Sequence, residues 1–190
     1  HRTLRSPADV GTALGVECVA TIPAIDLTAY GTDEKPKHNL SGPIHWLVDD
    51  NQAGDFSQAI FSLRKWTESC GGRGARIVLV VAANPAEGCS TVAAQLALYA
   101  ANTGTRTVVV DADLRSRGLS DVLGLDVETS FPDAILSGCD PKSAIVRLPD
   151  TELHFCSAPG HGTWRPLDVL GSRAAGSFLG ALRDEFDLIV

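Results

Sequence analysis

At 190 residues, 44% hydrophobic and 21% charged, the chain is long enough for one full core, and its composition excludes a low-complexity or disordered polymer. A net charge of −7 argues against nucleic acid as a partner, because neutralising phosphates needs a basic face. Five cysteines without a Cys-x-x-Cys pair indicate neither a disulfide framework nor a zinc site and fit a reducing cytosol, and no apolar run approaches bilayer length.

In chain order, Ser6-Pro7-Ala8-Asp9-Val10 starts a short helix that Gly15 stops, and residues 16–22 read as a strand before Pro23. Residues 1–24 thus form a first unit. Residues 25–56 are polar, with Gly, Pro, Asp and Asn spread through them, and read as a linker or surface loop. From Phe56 to about Ser69, Ile60, Leu63 and Trp66 or Thr67 fall at helical spacing. The stretch 57–190 then alternates strand and helix, which predicts an α/β fold with a mostly parallel sheet and helices on both faces.

Within that stretch, Ile77-Val78-Leu79-Val80-Val81 has the unbroken β-branched character of a strand buried on both faces. A helix follows from Ser90 or Thr91 to about Asn102, with Val92, Leu96 and Tyr99 on one face and Gly104 as its stop. Thr107 to Val110 is the second buried strand. Leu153 to Ser157 and Leu188 to Val190 read as further strands, with a helix from about Ser172 to Glu185 between them. The sequence opens at His1 and closes on Leu188-Ile189-Val190 in mid-pattern. It therefore reads as a piece of something longer, and a membrane span upstream stays open.

The loop after the first strand is Ala83-Asn84-Pro85-Ala86-Glu87-Gly88-Cys89-Ser90-Thr91. Its spacing fits the phosphate-binding pattern G-x-x-x-x-G-K-[ST], but Ala83 replaces the first Gly and Cys89 replaces the Lys. Its context is that of a phosphate loop: it leaves a strand and opens a helix, where backbone N–H groups can surround phosphate oxygens. In that reading Gly88 allows close backbone approach, Ser90 offers a hydroxyl to Mg²⁺, and Thr91 donates to phosphate or caps the helix. The alternative is an ordinary strand-to-helix turn.

Further on, Val108-Val109-Val110-Asp111-Ala112-Asp113-Leu114-Arg115 places two carboxylates just past the carboxyl end of a strand, where ligands of open α/β sheets bind. Asp111 and Asp113 could hold Mg²⁺ and orient or deprotonate a hydroxyl, and Arg115 could reach a phosphate. The plainer alternative is that Asp113 caps the next turn and Arg115 pairs with a surface acid.

Strand, loop, helix and hhhDxDxR in this order resemble the bacterial tyrosine kinase family, cytoplasmic domains of polysaccharide co-polymerases that set the chain length and export of capsule and exopolysaccharide. Further pieces of the resemblance are Leu4 to Val10 through Leu14-Gly15 to Pro23, the helix at Ala59 to Arg64, the proline loop at Gly160 to Leu170, and Phe186 to Val190 as the lead-in to a Walker B strand. The Walker B Asp would fall beyond Val190. The resemblance implies ATP or ADP with Mg²⁺, an upstream membrane anchor, the cytoplasmic face of the inner membrane, the polysaccharide assembly machinery as partner, and homo-oligomerisation.

Three departures bear on function. Cys89 removes the ammonium that contacts the β- and γ-phosphates in the family. The helix pattern E-x-x-R-x-x-R, which helps build a subunit ring, reads Gln58-x-x-Phe61-x-x-Arg64. Only Tyr30 and Tyr99 are present where the family clusters tyrosines at its C-terminus. The expected function is a regulatory, kinase-like domain weak or dead in phosphoryl transfer. An active tyrosine autokinase and a ParA- or MinD-like ATPase are the alternatives. Cys89 reads as a tolerated substitution or as a redox-sensitive thiol with lowered pKa.

Overall fold

The computed structural model describes residues 6–24, 54–70, 72, 74–125, 127, 130–138, 140–158 and 165–190. Among them five strands form one sheet: Arg76–Ile77 (β1), Thr107–Val110 (β2), Ile145–Arg147 (β3), Leu153–Cys156 (β4) and Leu188–Ile189 (β5), in the order β1-β5-β2-β4-β3. All neighbours run parallel except β3, which is antiparallel to β4. The mostly parallel sheet expected from the alternating pattern is therefore present.

The helices are Pro7–Leu14 (α1), Gly54–Ser69 (α2), Cys89–Asn102 (α3), Gly118–Leu123 (α4), Phe131–Ser137 (α5), Pro166–Leu170 (α6) and Arg173–Glu185 (α7). They cover both faces of the sheet because side chains alternate along each strand. Val109, Leu153 and Phe155 point to one side and pack with Phe56 and Ile60 of α2, Ala94, Ala97 and Leu98 of α3, and Leu119 and Leu123 of α4. Val108, Cys156 and Ile189 point to the other, against Phe131 and Ala134 of α5, Val169 of α6, and Phe178 and Leu182 of α7. Both faces of β2 are buried at Val108 and Val109, as its unbroken apolar run requires, while β4 is buried at Leu153, Phe155 and Cys156 and half-buried at His154.

The expected strand at 77–81 is corrected. Only Arg76–Ile77 is strand, and β1 lies at the sheet edge with β5 as its neighbour. Ile77 is 52% exposed, Leu79 76% and Val81 75%. The cause is the extent of the second helical layer. Ile77 pairs with Ile189 and so points to the same face, where α7 packs over β5. The layer does not reach the next strand outward, and alternate residues Ile77, Leu79 and Val81 face solvent.

Residues 16–22, expected as a strand, carry no ladder; Ile22 packs against the α2–α4 core without pairing. The helix before them forms as expected. Ser6 and Asp9 make a reciprocal capping box and Gly15 closes the end at φ 67°. Helix α2 starts at Gly54, and Phe56, placed by the sequence at the end of a linker, is a core residue. The expected loop at 160–170 lies partly outside the described residues, and Pro166 begins the short α6.

One side chain of α2 changes meaning. Arg64 is 6% exposed and turned inward, donating to Thr105 Oγ1 at 2.7 Å and Thr67 Oγ1 at 3.4 Å and pairing with Glu68 at 3.2 Å. It ties α2 to the segment entering β2. Phe61, three residues earlier, stands 44% exposed with its ring edge-on to Tyr99.

Candidate functional site

Parallel strands deliver their carboxyl ends to one rim of the sheet, and the loops leaving β1 and β2 meet there. The β1 loop occupies residues 78–88 and ends at Gly88, the N-cap of α3. A Cβ on Gly88 would meet no protein atom within 4 Å, and the demand for glycine comes from its φ of 85°. Ala86 also has positive φ, 62°, a conformation costly for a residue with a Cβ. No side chain caps α3, so Thr91 is not the cap, and the first N–H groups of a 14-residue helix are left to face the rim.

Ala83, Asn84, Pro85, Ala86 and Glu87 are exposed, and Gly88, Cys89, Ser90 and Thr91 are half-buried. The Glu87 carboxylate folds back over the loop. Its Oε2 accepts the backbone N–H groups of Ala83 at 3.0 Å and Asn84 at 3.1 Å, and its Oε1 accepts the Asn84 side-chain amide at 2.8 Å. The Asn84 side-chain bond, reinforced by the backbone bonds, holds the carboxyl below the usual range and therefore ionised.

Asp111, one residue past β2, is 5% exposed. Its Oδ1 accepts the Asp113 N–H at 3.2 Å and its Oδ2 the Leu119 N–H at 3.3 Å. Burial pushes its pKa up to about 6; the two backbone bonds oppose this, and the charges of Asp113 and Asp121 add to it. Asp113 is exposed and closes its own turn, accepting from Arg115 N–H at 3.2 Å and Ser116 Oγ at 2.7 Å. Arg115 is exposed on that turn.

The helices that follow the two loops, α3 and α4, approach each other at Ser90. A Cβ on Gly118, the first residue of α4, would lie 3.0 Å from Ser90 Oγ and 3.5 Å from Ser116 Oγ. The structure thus gathers Ser90, Asp111, Asp113 and the α3 N-terminus on one rim, while Ala83 and Asn84 sit across the loop under Glu87. Ser116, Gly118 and the Leu119 amide belong to this rim and were not singled out from the sequence. The signal for them was Gly118, with Ser116 two residues before it: at Gly118 the lack of a Cβ lets α4 start against Ser90 of α3.

Cys89 is the first residue of α3. Its thiol is pushed up, first by burial and then by the charge of Glu87, so the neutral form is favoured despite the helix N-terminus. That environment opposes the lowered pKa a redox-sensing thiol needs. A cavity of about 490 Å³ lies at the opposite end of the sheet, lined by Thr105, Arg106, His154 and Phe186 among others, and is separate from this rim.

No family model matches the chain. It is 28% identical over 121 residues to the succinoglycan biosynthesis transport protein ExoP of Rhizobium meliloti (strain 1021), a match covering 63% of this chain and 15% of that protein. Its fold matches the kinase domain of the Escherichia coli tyrosine kinase ETK with TM-score 0.81 and 20% identity, over 97% of this chain and 70% of that one. The chimerical protein CapA2B2 follows at 0.78 and 17%, over 97% and 73%. The septum site-determining protein MinD of Pyrococcus horikoshii OT3, solved with Mg-ADP, matches with TM-score 0.51 and 25% identity over 60% of this chain and 47% of its own. The resemblance expected from the sequence therefore holds at the level of fold, and the match extends much further along the tyrosine kinase domain than along MinD.

Proposed function

We propose that this chain is a kinase-like cytoplasmic domain of an exopolysaccharide synthesis and export protein, regulatory in role and weak or inactive in phosphoryl transfer. The observation that carries the second half is the pair Glu87 and Cys89. Where a phosphate loop offers an ammonium, this one offers a neutral thiol beside an ionised carboxylate. Loss of one preorganised charge at a transferring phosphoryl group costs on the order of 3 kcal/mol of transition-state stabilisation, and an added like charge increases that cost. The likeness to ExoP supports the polysaccharide setting.

In this reading the backbone of residues 83–91 cradles the phosphates of ATP or ADP. Ser90 and Asp111 hold Mg²⁺, directly or through water, with Asp113 and Arg115 at the outer edge. The group supplied by the ligand is a magnesium-bridged polyphosphate; the chain's own residues bind and orient it. An anchor at the inner membrane, the polysaccharide machinery as partner and assembly into homo-oligomers belong to the same proposal. Arg64 contributes little to such an assembly, because it is spent inside the domain.

A second reading, an active autokinase, draws on the retained Ser90 and Asp111, the latter with a pKa of about 6 suited to accepting a proton near neutral pH. Titration calorimetry of the 190-residue chain with Mg²⁺-ADP and Mg²⁺-ATP separates the two, with Cys89→Lys run beside it. The regulatory reading expects weak or absent heat from the parent and clear binding by Cys89→Lys. Ordinary affinity together with transfer of the γ-phosphate to a tyrosine of the parent would establish the autokinase instead.

A further inference from the structure

Gly118 is the first residue of α4, and its backbone does not ask for glycine. Its φ lies outside the left-handed region that Gly15, Gly88 and Gly124 occupy. A glycine in a helix costs stability relative to alanine, because it adds freedom to the unfolded chain. What this position does ask for is room. A Cβ there would lie 3.0 Å from Ser90 Oγ, inside normal van der Waals contact, but 3.9 Å from Ser90 Cβ, an ordinary approach. The conflict is with the Ser90 hydroxyl and not with the rest of the side chain.

The neighbours of Gly118 fix the other half of the arrangement. Leu119 is 3% exposed in the α2–α4 core and donates its N–H to Asp111 Oδ2 at 3.3 Å. Gly118 N–H donates to Ser116 Oγ at 3.4 Å, and that hydroxyl donates to Asp113 Oδ2 at 2.7 Å. Consecutive residues of α4 therefore meet Ser90 on α3 and Asp111 beyond β2, and Leu119 and Leu123 pin the helix in the core. A hydroxyl and a carboxylate are hard oxygen donors that suit Mg²⁺.

We propose that Gly118 is a positioning residue for this rim. By leaving room for Ser90 Oγ while Leu119 holds Asp111, the start of α4 sets hydroxyl and carboxylate to share one divalent cation. This rests on the reading of the rim as a Mg²⁺-polyphosphate site and deepens it. Gly118 acts on the cation only through Ser90. Gly118→Ala turns the hydroxyl away and leaves Asp111 in place, because a single side-chain torsion gives way before two packed helices do.

The test is a double-mutant cycle in the 190-residue chain carrying Cys89→Lys, the form expected to bind. Gly118→Ala, Ser90→Ala and the pair are titrated with ADP in Mg²⁺ and with ADP in EDTA, and each is unfolded in urea without ligand. We expect Gly118→Ala to weaken ADP in Mg²⁺ about tenfold and to change ADP in EDTA by less than about twofold. In the Ser90→Ala background its effect on either should fall below about twofold. Without ligand, Gly118→Ala should raise the urea midpoint more in the Ser90→Ala background than beside Ser90. A loss of affinity equal with and without Mg²⁺, or undiminished by Ser90→Ala, would overturn the inference while leaving the cradle reading intact. Equal midpoint shifts in the two backgrounds would overturn it without reference to any ligand. Failure of the Cys89→Lys chain to bind ADP in Mg²⁺ would remove the cradle reading and this inference together.

Discussion

Strands β1 and β2 flank β5 and run toward the same rim, and the apolar runs that hold them are nearly interchangeable in sequence: Ile77-Val78-Leu79-Val80-Val81 against Thr107-Val108-Val109-Val110. Their surroundings are opposite. Val108 and Val109 are fully buried, one on each face, whereas Ile77, Leu79 and Val81 are more than half exposed. The loops inherit the difference. The β2 loop carries a buried carboxylate fixed by two backbone amides, and the β1 loop is exposed from Ala83 to Glu87 and held by its own side chain. One arm of the candidate site is set by the core and the other by a local clasp.

The largest contrast is in stability. Val109→Asp would bury a carboxylate without a partner between α3 and the sheet, a cost of several kcal/mol that a domain of ordinary stability does not survive. Loss of a cooperative thermal transition is the expected result. Leu79→Asp changes the same kind of residue on the exposed edge and is expected to shift stability by no more than about 0.5 kcal/mol. Comparable destabilisation by the two, in urea melts at equal protein concentration, would break the comparison and show that the edge of β1 is covered in solution.

The next effect belongs to Asp111. Its folded-state pKa of about 6 stands above its ordinary value of 3.8, so between these values the native state binds more protons than the unfolded chain. Stability contributed by this group is therefore present at low pH and lost as pH rises from about 4 to 6, to a total near 3 kcal/mol. Asp111→Asn removes that slope. The difference in unfolding free energy between parent and variant, measured every half unit of pH, should change across this window and be flat above about pH 7. A difference independent of pH would mean that Asp111 is solvated and that both loops, not one, are exposed.

How much of this was readable follows the same divide. Alternation of strand and helix, the buried β2 and the carboxylates beyond it depend on patterns that a sequence states locally. The exposure of β1 depends on where α7 ends relative to β5, more than a hundred residues away, and no local pattern records that. The short antiparallel β3 also escaped, because Ile145-Val146-Arg147 is too brief to show a period. At the site, Asp111 stood out by its place after an apolar run. The clasp of Glu87 did not, because a Glu four residues from the backbone group it accepts is common and becomes informative only when the turn between them is known.

The smallest effect isolates the turn itself. Ala86 and Gly88 are two residues apart, on the same loop, and both have positive φ, at 62° and 85°. No protein atom lies within 4 Å of a Cβ built at Gly88, so a substitution there reads backbone strain and not packing. A Cβ at positive φ costs about 1 kcal/mol, from which the entropy a glycine adds to the unfolded chain subtracts part. Ala86→Gly is accordingly expected to stabilise by about 0.5 kcal/mol and Gly88→Ala to destabilise by about 0.5 kcal/mol. The sign of the first is the informative one. A gain means that Ala86 is held in its strained conformation by the bonds of Glu87, so the clasp is strong enough to store strain. A loss would mean that Ala86 relaxes in solution, and a loop that relaxes there has already released Ala83 and Asn84.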